Sequence, residues 1–197
     1  AGFSHHQADK IGVLITNLGT PQAPTKGALK PYLKEFLSDP RVVEVPRLIW
    51  WFILNGIILN IRPKRSAEAY ASVWSEQGSP LMVHTKAQAE ALAKRCEREF
   101  GDDVIVDFAM RYGEPAVSKV IERMLSTGVR KLLVVPLYPQ YSASTVGSTF
   151  DAIAADFQQR RWLPDFPTPP NGSRPEAPLV ARFQLTMPEG TSIMARL

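Results

Sequence analysis

The chain has 197 residues, 45% hydrophobic and 21% charged, enough apolar content for one good core or two small ones in a soluble globular protein. Its 23 basic and 19 acidic residues leave a net charge of only +4, too mild and dispersed to predict a nucleic-acid partner, though an anionic small ligand or a lipid surface would fit. One cysteine, Cys96, excludes an internal disulfide framework and points to a reducing, cytoplasmic compartment.

Residues 1–10 have no basic segment leading into an apolar core, so no secretory signal is expected and the end reads as disordered. Ile11 to Thr16 is a β-rich apolar run stopped by Asn17, Leu18, Gly19, Thr20 and Pro21. Ala28 to Leu37 carries Leu29, Tyr32, Leu33, Phe36 and Leu37 on one helical stripe. The turn Ser38-Asp39-Pro40 ends it, and Val42 to Val45 reads as a second short strand.

Leu48 to Ile61 is the most apolar segment. As a helix its 14 or so residues extend about 21 Å, short of the ~30 Å hydrocarbon core, so it does not span a membrane. A core helix is one reading. The other is an exposed lip, because Trp50 and Trp51 beside Arg47, with Arg62, Lys64 and Arg65 at the exit, suit a lipid interface or the rim of an apolar site.

Separate helices are predicted over Ser66 to Trp74 and, after Gly78-Ser79-Pro80, over Val83 to Phe100. Val104 to Met110 is a strand, ending at Arg111 and Tyr112. Ala116 to Ser126 is a helix with Val117, Val120, Ile121, Met124 and Leu125 at core spacing. Lys131 to Leu137 is the longest strand-like apolar run and reads as buried on both faces, hence mid-sheet. A polar loop from Tyr138 follows, then a helix from Phe150 to Arg160 with Ser148 or Thr149 as N-cap. Strands alternating with helices predict an α/β fold: a four-stranded parallel, doubly wound Rossmann-like sheet with helices on both faces, spanning residues 11–166. Beyond it, 167–197 is proline-rich and reads as an irregular tail.

No Walker A or G-x-G-x-x-G motif occurs, and His5, His6 and His84 lack the spacing of a zinc site, so no metal ligand and no bound cofactor are expected. What stands out is a group of aromatic and hydroxyl residues with one arginine, all after predicted strands or at breaks: Tyr70, Ser79, Arg111, Tyr112, Tyr138, Gln140, Tyr141, Ser142 and Thr145. Aromatic faces suit a large flat apolar ligand, and a guanidinium fork suits a carboxylate. Alternatively, the tyrosines merely cover the end of the sheet.

These residues sit in stretches that resemble the ferrochelatases, which insert ferrous iron into a porphyrin. The matching runs are Asn17 to Pro21, Tyr32 to Asp39, Tyr70 to Trp74, Gly78 to Met82, Met110 to Gly113 and Pro136 to Thr145. The resemblance implies two similar Rossmann-like domains with the porphyrin, of protoporphyrin or coproporphyrin type, held between them, and Fe²⁺ as substrate. It places Leu18, Tyr70, Ser79, Arg111 and Tyr112 along the porphyrin pocket and Tyr138 to Thr145 beneath it. Ile49, Trp50, Trp51, Phe52 and Leu54 become a lip in peripheral contact with the inner face of a membrane. The family's catalytic histidine and glutamate belong to the second domain, and neither motif occurs here. No residue of this chain is therefore expected to be catalytic. The chain alone is expected to lack turnover and to self-associate through apolar surface that a second domain would cover. A porphyrin-binding domain without chemistry, or a related chelatase acting on another tetrapyrrole, are the alternatives.

Overall fold

The computed structural model describes residues 9–161 and, beyond them, the backbone of two short strands, Leu185–Thr186 and Ser192–Ile193, which pair antiparallel. Residues 1–8 and the proline-rich stretch 167–178 lie outside the described residues.

Strand β1 (Lys10–Gly19) is the centre of a parallel sheet, flanked by β2 (Val104–Tyr112) and β3 (Val129–Pro136) in the order β2-β1-β3. Leu14 lies opposite Asp107 on one side and Val134 on the other. Val13, Leu14, Ile15 and Thr16 are all buried, so β1 is the strand enclosed on both faces. The longer apolar run of β3 stands instead at the edge of the described sheet, and Leu132 to Val135 are only half-buried. Gly12 hides the centrality of β1 in the sequence: a Cβ there would lie 2.7 Å from Val129 Cγ1 and 2.9 Å from Met124 Cε. Those side chains fill the space that a larger residue in β1 would occupy.

Helices cover both faces. Helices α5 (Val117–Ser126) and α6 (Ser148–Arg160) lie on one, where Leu14 and Ala109 pack with Val120, Ile121, Met124, Ile153 and Phe157. Helix α4 (Pro80–Phe100) takes the other. Asn17, on the Val13–Ile15 side of β1, donates to Thr85 Oγ1 of α4 at 3.0 Å. A second cluster joins Leu29, Tyr32, Leu33 and Leu37 of α1 (Lys26–Ser38) to Leu54, Leu59, Ala67 and Tyr112.

Besides the edge position of β3, expected mid-sheet, two further features differ from the sequence-based expectation. Val42 to Val45 is a turn, not a strand: the amides of Val42 and Val43 both donate to Asp39 O at 3.0 Å, and both side chains pack on the α1 cluster. The described sheet therefore has three strands, not four. The apolar segment is also not a separate helix: α2 (Arg47–Ile53), a wide turn over Leu54–Ile58 and α3 (Leu59–Val73) follow one another without a break. Pro63 rides inside α3, buried, and costs the helix one amide bond without ending it.

Candidate functional site

Glycine brings the carboxyl ends of β1 and β2 together. Gly19 has φ +110°, and a Cβ on it would lie 1.9 Å from Tyr112 O, so no other residue fits. Gly113, at φ +82°, turns the chain out of β2. Helix α1 fastens both turns: Tyr32 OH donates to Gly19 O at 3.1 Å, and Gly113 N donates to Glu35 Oε2 at 2.9 Å.

Beside these turns lies an open hollow of about 480 Å³. Thr20 and Pro21 come from the end of β1, Glu114 and Pro115 from the end of β2, Trp74 and Ser79 from the approach to α4, and Met82 from its first turn. Its walls mix apolar surface from Pro21, Trp74, Met82 and Pro115 with the hydroxyl residues Thr20 and Ser79 and with Gln22, Gln77 and Glu114. Ser79 is 5% exposed, and at the head of α4 its hydroxyl makes no capping bond. Thr20 Oγ1 is sealed from solvent with no partner. Buried hydroxyls usually find partners, so Thr20 Oγ1 is an exception beside the hollow.

A separate polar centre lies where the end of α1, the end of β2 and the start of α6 meet. Asp39 Oδ2 accepts from Arg111 Nη2 at 2.6 Å, Tyr112 OH at 2.8 Å and Ser148 Oγ. Asp39 Oδ1 accepts from Arg41 N at 2.8 Å. Arg111 Nε donates to Ser148 Oγ at 2.7 Å and Ser148 O at 2.9 Å, and its guanidinium stands 4.4 Å over the Tyr112 ring. Burial pushes the Asp39 carboxyl upward, but the bonds from Ser148, the Arg41 amide and Tyr112, with the Arg111 charge, outweigh it and hold the group below its ordinary value. Burial pushes the Tyr112 phenol up to about 12, against the Ser148 bond.

The expected site residues thus divide. Ser79 lines the hollow, and Tyr70 reaches its wall by an edge contact with Trp74, ring centroids 6.3 Å apart. Leu18 is half-buried on the α1 cluster. Arg111 and Tyr112 belong to the Asp39 centre. Tyr112 is 0% exposed, and a ring so enclosed has no face to offer a ligand. Tyr138 is half-buried, its hydroxyl sealed without a hydrogen bond. Gln140 and Tyr141 are exposed; Ser142 Oγ lies 3.0 Å from Ser144 Oγ, and Thr145 Oγ1 donates to Ser142 O at 3.3 Å. Ser148 is not an N-cap: it is the first residue of α6, follows a helical turn over Ala143–Gly147, and gives its hydroxyl to Asp39.

The apolar segment is split between core and lip. Leu54 is buried, and half-buried Trp50 donates Nε1 to Leu37 O at 2.6 Å. Ile49, Trp51 and Phe52 are each more than half exposed, as are Leu48, Ile57 and Ile61. No helix among the described residues is long and apolar enough to cross a membrane. No group of three or more potential metal-ligating side chains occurs among them either, and His84 is exposed. Sequence reading missed Asp39, Ser148, Thr20 and Trp74 as site residues. The signal for Asp39 was an acid set between two apolar segments, read only as a helix stop.

An open parallel α/β unit with helices on both faces of its sheet and a hollow at the carboxyl ends of its strands is a Rossmann-like domain. Residues 10–170 match the ferrochelatase family model, and the chain belongs to the ferrochelatase family. It is 71% identical over 164 residues to the ferrochelatase of Idiomarina loihiensis, 66% over 163 residues to that of Pseudoalteromonas atlantica, and 62% over 163 residues to that of Alcanivorax borkumensis. Each match takes 83% of this chain but only 45%, 45% and 48% of the respective relative, so the chain spans about half the length of the proteins it matches.

Proposed function

We propose that this chain supplies one wall of a ferrochelatase site, in which a porphyrin takes up Fe²⁺ to give haem. The observation that carries the reading is the family match over residues 10–170, which takes in nearly the whole described α/β unit. The hollow is consistent with it. Trp74, Met82, Pro21 and Pro115 offer apolar surface for a flat macrocycle, and the Ser79 hydroxyl offers a donor for a porphyrin carboxylate. Metallation needs a macrocycle bent so that its nitrogen lone pairs face the metal, and a base to take two protons. Apolar walls of this kind supply the bending. The base, by family resemblance a histidine with a glutamate partner, is assigned to polypeptide outside this chain.

In the same reading the exposed Ile49, Trp51 and Phe52 edge, flanked by Arg47, Arg62, Lys64 and Arg65, rests on the membrane surface from the cytoplasmic side. Apolar surface at the site favours self-association of the chain when no partner domain covers it.

Titrating porphyrin while following tryptophan emission tests the assignment, since Trp74 lines the hollow. Saturable quenching at micromolar porphyrin is expected, with no catalytic turnover when Fe²⁺ or Zn²⁺ is added. Absence of saturable quenching overturns the porphyrin reading, and turnover by this chain overturns the placement of the base elsewhere.

A further inference from the structure

The wall of the hollow carries one formal charge, and it is negative. Among the described residues that line it, Glu114 is the single ionisable side chain; the polar remainder, Thr20, Gln22, Gln77 and Ser79, is uncharged, and no lysine, arginine or histidine takes part. Arg111, the cation that the sequence offers for a ligand carboxylate, is committed to Ser148 through Nε and to Asp39 through Nη2. A ligand acid entering the hollow therefore finds neutral donors and one carboxylate, with no cation on the lining to offset it.

Two bonds hold the Glu114 carboxylate. Oε2 accepts from Ala116 N at 3.2 Å, and Oε1 accepts from Lys119 Nζ, in the first turn of α5. The bond from Lys119 outweighs the upward push of burial and, with the Ala116 amide and the Lys119 charge, holds the carboxyl below its ordinary value, so it is ionised at neutral pH. Lys119 is exposed and lies outside the lining, whereas Glu114 belongs to it. Removing one or the other member of the pair therefore shifts the charge met by a ligand in opposite directions.

We infer that Glu114 is a specificity-determining residue: as the one charged group on the wall, it selects porphyrins whose carboxylates share a single edge over those that carry one on every pyrrole ring. The inference rests on the porphyrin reading above and names which kind of porphyrin the hollow takes. Protoporphyrin has two carboxylates, on neighbouring rings; coproporphyrin has four, one on each ring. The first can turn its acidic edge to Ser79 or to solvent and present an uncharged edge to Glu114. The second has no ring free of acid, so whichever part enters the hollow brings a carboxylate toward Glu114. A like charge placed this way discriminates by repulsion, without adding attraction for the favoured ligand.

Porphyrin titrations of the intact chain and of two variants, Glu114→Gln and Lys119→Met, test this, read as the ratio of the coproporphyrin to the protoporphyrin dissociation constant. The two ligands also differ in apolar surface, and that difference cancels when the ratio of a variant is compared with that of the parent. The parent is expected to bind protoporphyrin more tightly. Glu114→Gln should lower the ratio about fivefold, the effect of removing one like-charge contact in a solvated site. Lys119→Met should raise it, by up to about the same factor, because the carboxylate then stands without its cation. A general loosening of the fold cannot move the ratio both ways. A ratio unchanged in either variant, or shifted in the same direction by both, overturns the role of Glu114 while leaving the porphyrin reading intact, and so does tighter binding of coproporphyrin by the parent. Failure of the parent to bind either porphyrin overturns that reading and this inference with it. Should Glu114→Gln fail to fold, the change at exposed Lys119 decides alone, and a ratio that stays level or falls there overturns the proposal.

Discussion

Arg111 Nη2 and Asp39 Oδ2, 72 positions apart in the chain, lie 2.6 Å apart, with 17% and 5% of their side chains exposed. A charge pair this enclosed is expensive to break from one side, because the surviving partner stays buried without compensation. Arg111→Ala is expected to cost roughly 3–5 kcal/mol in denaturant unfolding. Replacing the exposed Asp151, whose carboxylate pairs with Arg41, by Asn is expected to cost under about 1 kcal/mol. Equal losses from the two changes would show that enclosure of the Asp39 centre does not matter.

The same centre gives the fold an acid limit. The Asp39 carboxyl is held below its unfolded value, so its contribution is fully present above the unfolded pKa of about 3.9 and is lost as pH falls through the lower folded value. Acid unfolding of the unaltered chain should therefore steepen below about pH 4. Asp39→Asn should be less stable near neutrality and show a shallower acid dependence. Parallel stability curves for the two proteins over pH 2–6 would contradict the assignment.

Much of the fold was legible in the sequence because burial on one stripe leaves a period. Leu29, Tyr32, Leu33 and Leu37 are buried on α1, and Val117, Val120, Ile121 and Met124 on α5, as their spacing predicts. The order of strands was not legible, because apolar length reports burial without saying which neighbour provides it. Val42 and Val43 have strand composition yet spend their amides on the Asp39 carbonyl. The site was legible only in part. Arg111 and Tyr112 were rightly picked out as unusual, but their partner Asp39 is distant in sequence, and no local pattern connects them.

The central place of β1 has a measurable consequence. Leu14 is 0% exposed and packs against α5 and α6, whereas Val134 opposite it on β3 is half-buried. Leu14→Ala should cost about 2–5 kcal/mol, and Val134→Ala distinctly less. Chemical denaturation of both variants checks this, and a larger loss at Val134 would return the edge strand to the middle of the sheet.

Gly19 and Gly27 offer a paired test of backbone geometry. At Gly19 an alanine meets both a positive φ and the Tyr112 carbonyl, so Gly19→Ala should lose at least about 2 kcal/mol and disturb the hollow beside it. At Gly27, in the first turn of α1, an added Cβ meets nothing within 4 Å. Gly27→Ala should be neutral or stabilising by up to about 1 kcal/mol. Thermal unfolding of the two variants should move in opposite directions or, at the least, by clearly different amounts.

The split of the apolar segment separates folding from membrane contact by single residues. Trp51 and Phe52 are 58% and 62% exposed and stand edge to face with ring centroids 5.0 Å apart, so their side chains contribute little to the core. Trp50, one residue earlier, gives its Nε1 to the Leu37 carbonyl and packs on the α1 cluster. Trp51→Ser with Phe52→Ser should leave unfolding free energy within about 1 kcal/mol of the parent while reducing co-sedimentation with vesicles containing anionic lipid. Trp50→Ala should do the reverse, costing about 3 kcal/mol or more in stability through lost packing and an orphaned carbonyl. Vesicle binding by the double serine variant equal to that of the parent would remove the lip from the membrane reading, and leave Trp51 and Phe52 as surface for another partner.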